Sequence, residues 1–154
     1  MKNRRRIPLC IPPLILCLID QTITLIGQTP AYWSGDYSNA REGNPLFNWL
    51  LCRHPLAFEA GVLLWIAIFG CAILFLPRFV SKVVSVAVVL GHTWGAASWL
   101  CLIYAHGYWY AIGLCLLSGI AVNVSWEMFH KNDSVRYSDN KTLQRTRKDG
   151  AGDP

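Results

Sequence analysis

The sequence predicts an all-α protein: a four-helix transmembrane bundle with a long outer loop between helices 1 and 2. Two observations carry this prediction. Four apolar runs recur, each near the roughly 20 residues that a membrane span needs. Charge is also segregated. Hydrophobic residues make up 53% of the chain and charged residues 15%, and the charges gather in the connections and the tail, as in polytopic membrane proteins rather than soluble cores. A chain of 154 residues is one domain at most. Here it divides into a four-span transmembrane domain over 1–130 and a tail over 131–154.

Charge placement predicts the topology. All but Arg41 and Arg53 of the 14 basic residues fall on one side of the predicted spans. The positive-inside rule makes that side cytoplasmic, so both termini are expected in the cytoplasm and the chain in the cytoplasmic (inner) membrane, multi-pass. The net charge of +5 is then topological, and no nucleic-acid partner is expected. The 7 Trp suit anchoring at the headgroup level.

The first run, Ile7–Gln28, follows a basic start and mimics a signal peptide. No A-x-A-like cleavage site follows it, Asp20 interrupts it, and three more runs come later. Leu14-Ile15-Leu16-Cys17 resembles a lipoprotein box, but Leu16 stands where a small residue is needed. An uncleaved helix is expected, with Pro8, Pro12 and Pro13 in its first turns, where missing N–H groups matter least.

The connection Thr29–Pro55 is rich in turn formers and aromatic residues. Within it, Leu46–Leu51 reads as a short interfacial helix with Asn44 as cap and Pro45 at the first position. Leu56–Leu76 is the second span, carrying Glu59 and stopped by Pro77. The third runs from about Val80 to Ala105 and carries His92. A tight turn at His106-Gly107 leads into the fourth, from about Tyr108 to Phe129, which carries Asn123 and Glu127. The tail His130–Pro154 has the polar, mixed-charge composition of a disordered segment. Its Lys and Arg suit anionic headgroups.

Cys10, Cys17, Cys71, Cys101 and Cys115 lie in apolar runs and read as small hydrophobes. Cys52 is the loop cysteine; a Cys52–Cys101 bridge at the outer face is one option for it and a free thiol the other. There is no C-x-x-C pair, G-x-S-x-G, Walker loop or dinucleotide fingerprint. Zinc-ribbon, covalent-hydrolase and nucleotide-dependent chemistry therefore have no support.

The chemistry-bearing residues converge by depth. At about 1.5 Å per residue, Asp20 lies roughly 18–20 Å into helix 1 and His92 roughly 20 Å into helix 3. Glu59 lies within roughly 5–8 Å of that plane, with Glu42, Asn44 and His54 just above. Helical spacing predicts the inward faces: Cys17, Asp20, Thr24 and Gly27 on helix 1; Ser81, Ser85, His92, Ala96 and Trp99 on helix 3; Cys115, Gly119, Asn123 and Glu127 on helix 4. Gly91 and Gly95 form a G-x-x-x-G that permits close helix contact. An ionisable group within a span costs several kcal/mol unless it is compensated, so Asp20 needs a partner.

Asp20, Glu42, Asn44, Glu59 and His92 are the candidate catalytic residues. Proton chemistry would use Asp20 with His92 as relay. A metal, if one binds, would use Asp20, Glu59 and His92. The residues name no cofactor. The bland alternative is a structural one, in which Asp20 only hydrogen-bonds His92, Thr22 or Thr24 and holds the bundle together.

Asp20-x-Thr22-x-Thr24 in the first span, followed by Glu42-x-Asn44-Pro45, resembles the pattern of a family of small prokaryotic four-helix integral membrane proteins. The likeness covers about the first third of the chain. It implies the fold and the importance of Asp20, Glu42 and Asn44, and implies no activity. Small multidrug transporters share four spans and a first-span carboxylate, but their motif context and short loops do not match. The expected function is an outward-facing intramembrane polar pocket, serving an intramembrane enzyme or a proton- or metal-handling site. A structural or assembly subunit of a larger membrane complex, and a proton-coupled small-molecule carrier, are the alternatives. The expected partners are the lipid bilayer and either further copies of the chain or that larger complex.

Overall fold

The computed structural model describes residues 6–149, with side chains through residue 131. Six α-helices follow in order: α1 (Ile7–Ile26), α2 (Pro30–Trp33), α3 (Pro45–Leu51), α4 (Pro55–Phe75), α5 (Arg78–Ile103) and α6 (Gly107–Asp149). A 3-10 turn over Tyr37–Asn39 separates α2 from α3. The helices α1, α4, α5 and the Gly107–Lys131 part of α6 are long and apolar enough to cross a membrane. The fold is thus the all-α four-helix bundle that the sequence predicts. Among the described residues there is no strand.

α1 and α5 are the central pair, and α4 and α6 each pack against both. Many large apolar side chains point outward, among them Leu63, Leu64, Leu90, Leu116 and Ile120. They suit contact with lipid, where an apolar exterior carries no cost.

Pro12 and Pro13 lie inside α1 rather than in a tolerant first turn. Having no N–H, they leave the carbonyls of Pro8 and Leu9 without their helical donors. Two serines from other helices replace those donors. Ser125 Oγ of α6 donates to the Pro8 carbonyl at 2.7 Å, and Ser85 Oγ of α5 donates to the Leu9 carbonyl at 2.7 Å. Beside them, Arg6 Nη1 donates to the Leu74 carbonyl at 3.2 Å, to the Leu76 carbonyl and to Ser81 Oγ. The guanidinium thereby meets the carbonyls that end α4.

The inward face of α6 differs from the expected one. Asn123 and Glu127 are exposed, as are Cys115 and Gly119, and the Asn123 amide bonds back to the Gly119 carbonyl of its own helix. The buried face consists of Gly107, Ala111, Ser118, Ser125 and Phe129. Ser118 meets Thr93 of α5 at 2.9 Å. In a helix apolar on every side, small serines mark the seam better than larger polar groups, because they let helices approach closely. At the α5–α6 turn, a Cβ on Gly107 would run into the Leu100 backbone, so this position requires glycine.

All six cysteines are free. Cys101 faces outward from α5, so the Cys52–Cys101 bridge is not formed. Beyond Lys131, where composition predicts disorder, the backbone of α6 continues helical to Asp149. No glycine or proline falls between Gly119 and Gly150 to interrupt it.

Candidate functional site

The loop end of the bundle is built on polar contacts to α1. Gln28, buried at the end of that helix, bonds the backbone of Arg41 on both sides: its amide donates to the carbonyl at 2.7 Å, and its Oε1 accepts from the N–H at 2.8 Å. This fixes the next residue, Glu42, over α1. Glu42 Oε2 accepts from Thr24 Oγ1 at 3.3 Å, and Oε1 accepts from the Asn44 N–H at 2.8 Å. Asn44 Oδ1 in turn caps α3, accepting from Leu46 N at 3.0 Å and from Phe47 N at 3.4 Å, with Pro45 at the first helical position. The Glu42-x-Asn44-Pro45 motif is therefore a local device that starts α3 and ties it to the first span.

Asp20 and His92 meet across α1 and α5. His92 Nδ1 lies 2.8 Å from Asp20 Oδ2, and both side chains are 19% exposed. Gly95 makes the approach possible, since a Cβ there would lie 2.7 Å from Asp20 Oδ1. Gly91 faces open space, so only one glycine of the G-x-x-x-G serves the contact. On the far side of the imidazole, Trp65 Nε1 of α4 donates to His92 Nε2 at 3.1 Å. Indole can only donate, so Nε2 is the acceptor. A neutral imidazole then carries its proton on Nδ1 and donates it to Asp20. Asp20, His92 and Trp65 thus form one directed chain across three helices. Trp65 was not legible as part of it, because a tryptophan in an apolar run reads as a membrane anchor.

Glu59 does not join this pair. Its Oε2 accepts from the Gln21 amide between α4 and α1. Among the described residues, no three His, Cys, Asp or Glu side chains are grouped to hold a metal ion, so the set Asp20, Glu59 and His92 is not assembled. Gln21 Oε1 is buried with no hydrogen-bond partner among the described residues.

A cavity of about 480 Å³ opens beside the pair, between α1, α4, α5 and the loop. Phe47, Phe58, Val62 and Trp65 form much of its apolar wall; Asp20, Gln21, Glu42 and His92 give it a polar side. Asn44 lines its mouth. A second cavity, about 930 Å³, lies across Asp20 and Glu42 and is lined also by Arg41, Trp94 and Trp99. Asp20 and Glu42 stand in the wall between the two. Of the five candidate residues, Asp20, Glu42, Asn44 and His92 line the first cavity, and Glu59 does not.

The loop over this end is a packed unit. Tyr32 is fully buried, stacks edge-on with Trp33 and Tyr37, and donates to the Leu51 carbonyl at 3.4 Å. Burial, with smaller effects from Tyr37 and Cys52, pushes its phenol above the ordinary value. Bonds from the Ser38 hydroxyl first, and from Asn39, hold the exposed Asp36 carboxyl below its ordinary value.

No protein-family model matches this chain, and no curated protein or solved structure matches it either. Fold and geometry together define a class, a small multi-pass helical membrane protein with a bonded carboxylate–imidazole pair beside a cavity.

Proposed function

We propose that this chain is a proton-handling protein of the cytoplasmic membrane, with both termini cytoplasmic and the cavity facing outward, in which Asp20 and His92 act as the acid–base pair of an intramembrane site. The observation that carries the reading is the 2.8 Å Asp20–His92 bond on the wall of a cavity large enough for a small molecule. In the resting arrangement the proton sits on Nδ1, between imidazole and carboxylate. When the Trp65 indole turns aside, Nε2 is free to take a proton from a bound molecule, and Asp20 stabilises the imidazolium that forms. Asp20 Oδ1 has no hydrogen-bond partner among the described residues and offers a second basic atom. The resemblance of the Asp20-x-Thr22 and Glu42-x-Asn44-Pro45 segments to small prokaryotic four-helix membrane proteins is in keeping with this reading and adds no activity to it.

A second reading has its own observation. The Trp65 bond leaves both ring nitrogens of His92 engaged, as a purely structural tie between α1, α4 and α5 would. A subunit that docks into a larger membrane complex needs nothing more. Asp20→Asn separates the two readings. An amide keeps a hydrogen bond, and interhelical bonds in membranes average under about 1 kcal/mol, so the protein should insert and accumulate normally. It cannot titrate. The proton-handling reading expects a stable Asp20→Asn protein that fails to complement deletion of the gene in its native host. Full complementation by that protein would leave the structural subunit as the function.

A further inference from the structure

We infer that the cavity beside Asp20 and His92 takes a protonated organic amine carrying an aryl or branched-alkyl body. The inference rests on the proton-handling reading of the cavity and names the class of molecule it holds. Charge is the first ground. Asp20 and Glu42 are the charged groups on the cavity wall, and among the described residues no Lys or Arg lines it. His92 accepts from Trp65 at Nε2 and is neutral in that arrangement. An anion would meet two carboxylates at close range with nothing to neutralise it, whereas a cation is attracted by both.

Hydrogen-bonding capacity is the second ground, and it is independent of charge. The strong donors on the wall are largely engaged within the protein: Trp65 Nε1 with His92, His92 Nδ1 with Asp20, one N–H of the Gln21 amide with Glu59 and the Thr24 hydroxyl with Glu42. Asn44 keeps its amide N–H groups, but it is exposed at the mouth. Acceptors are what remain. Asp20 lines the cavity, and its Oδ1 is without a protein donor among the described residues; a carboxylate oxygen taken out of water is costly to leave unpaired. A ligand that completes this wall brings N–H groups rather than carbonyls or phosphates.

The remaining walls give the third ground. Phe47, Phe58 and Trp65 line the cavity with aromatic surface, which attracts cations through the ring faces and takes up an apolar body. A volume of about 480 Å³ is in the range of small-molecule sites.

Four molecules on one skeleton test the inference: 3-phenylpropylamine, its N,N,N-trimethylammonium analogue, 3-phenylpropanol and 3-phenylpropanoate. Binding of each is measured by equilibrium dialysis at neutral pH against the full-length protein in nanodiscs of uncharged lipid, with empty nanodiscs subtracted. Saturable binding of the amine is expected, with the alcohol and the carboxylate weaker by about tenfold or more, the scale of a lost charge-assisted hydrogen bond. The trimethylammonium analogue keeps the charge and loses the N–H groups, so it should fall between them. Leu46→Trp, which blocks the mouth from an exposed position, should abolish amine binding. Glu42→Gln should weaken it while leaving the cavity open. Saturable binding of none of the four, a carboxylate bound as tightly as the amine, or amine binding unchanged in Leu46→Trp would each overturn the inference. Its failure is distinct from failure of the parent reading. Absent amine binding beside an inactive, well-inserted Asp20→Asn protein removes the ligand class and leaves proton handling. Amine binding beside a fully active Asp20→Asn protein removes proton handling and leaves the ligand class.

Discussion

Two polar seams cross this bundle, one at each end of α1, and they differ in what they leave unsatisfied. At the amino-terminal end, Pro12 and Pro13 free two carbonyls, and Ser125 and Ser85 bond both of them at 2.7 Å. Arg6 does the same for the end of α4. None of these residues lines a described cavity. At the loop end, the Asp20–His92–Trp65 chain is joined at 2.8 and 3.1 Å and Thr24 meets Glu42 at a longer 3.3 Å; a void remains beside them, and Asp20 Oδ1 has no protein donor among the described residues. Polar residues within apolar helices are therefore not by themselves signs of a site. A polar seam that consumes all its donors and acceptors is a fastening, and one that retains acceptors beside a cavity is prepared for something else.

The contrast is broken or sharpened most strongly by Gly95→Ala. A Cβ at Gly95 would lie 2.7 and 2.8 Å from the two carboxylate oxygens of Asp20. The carboxylate must retreat, which disrupts its bond to His92; overpacking of this kind costs about 1–3 kcal/mol. Loss of complementation together with a lowered melting temperature in detergent is expected, while Gly91→Ala, which faces open space, should behave as wild type. A silent Gly95→Ala would mean that the close Asp20 contact is dispensable, and the loop-end seam would then be a fastening like the other. Ser85→Ala and Ser125→Ala sharpen the comparison from the opposite side. Each leaves a carbonyl of α1 without its donor, at a cost of about 0.5–1 kcal/mol in a membrane bundle. Stability should fall in melting experiments with complementation intact. Loss of function in a protein that melts normally would place the amino-terminal seam in the working site.

The helices and the principal pair were legible in the sequence because their signals are strong. Apolar runs give the spans, Asn44-Pro45 gives α3 through capping chemistry, and the depths of Asp20 and His92 bring them together because both are expensive to leave alone. The inward face of α6 was not legible. Periodicity picks out the stripe containing Asn123 and Glu127, but a helix that is apolar all round carries little moment to orient it, and two serines seven residues apart are a faint mark. The partner of Glu59 was missed for a related reason. Depth places Glu59 near Asp20, whereas rotation of α4 about its axis decides that it meets Gln21. Gln28 and Trp65 escaped because their roles depend on a particular backbone N–H or a particular imidazole nitrogen, and spacing along one chain encodes neither.

Trp65→Phe has a smaller expected effect on stability, because the ring keeps its packing and only the N–H is lost. A drop of under about 1 kcal/mol is expected. Its value lies in reactivity. With the indole N–H removed, His92 Nε2 no longer has a donor and faces the cavity unengaged. Diethyl pyrocarbonate, which attacks unprotonated imidazole nitrogen, should then modify His92 several times faster than in wild type, as followed by mass spectrometry of the peptide. An unchanged rate would mean that the indole does not guard Nε2, and the directed chain from Trp65 to Asp20 would lose its first link.

The smallest effect concerns the loop rather than the spans, and it asks whether the cavity's cover can loosen by itself. Tyr32 is 0% exposed and its hydroxyl reaches the Leu51 carbonyl at a long 3.4 Å. Burial raises its phenol above the ordinary value of 10.0. The folded loop then holds a proton that the unfolded loop releases, so Tyr32's contribution is complete below pH 10.0 and is lost as the pH rises through the higher folded value. Limited proteolysis with an alkaline-stable protease should begin to cut between Thr29 and Pro55 above that pH, while the helices α1, α4 and α5 remain intact. Tyr32→Phe removes the titrating group and gives up only the weak bond to Leu51, so its loop should resist the protease equally on both sides of pH 10.0. Cutting that follows the same alkaline profile in Tyr32→Phe would assign the loosening to another group. Simultaneous loss of the helices would show that loop and bundle open as one unit, leaving the loop end no more separable than the amino-terminal seam.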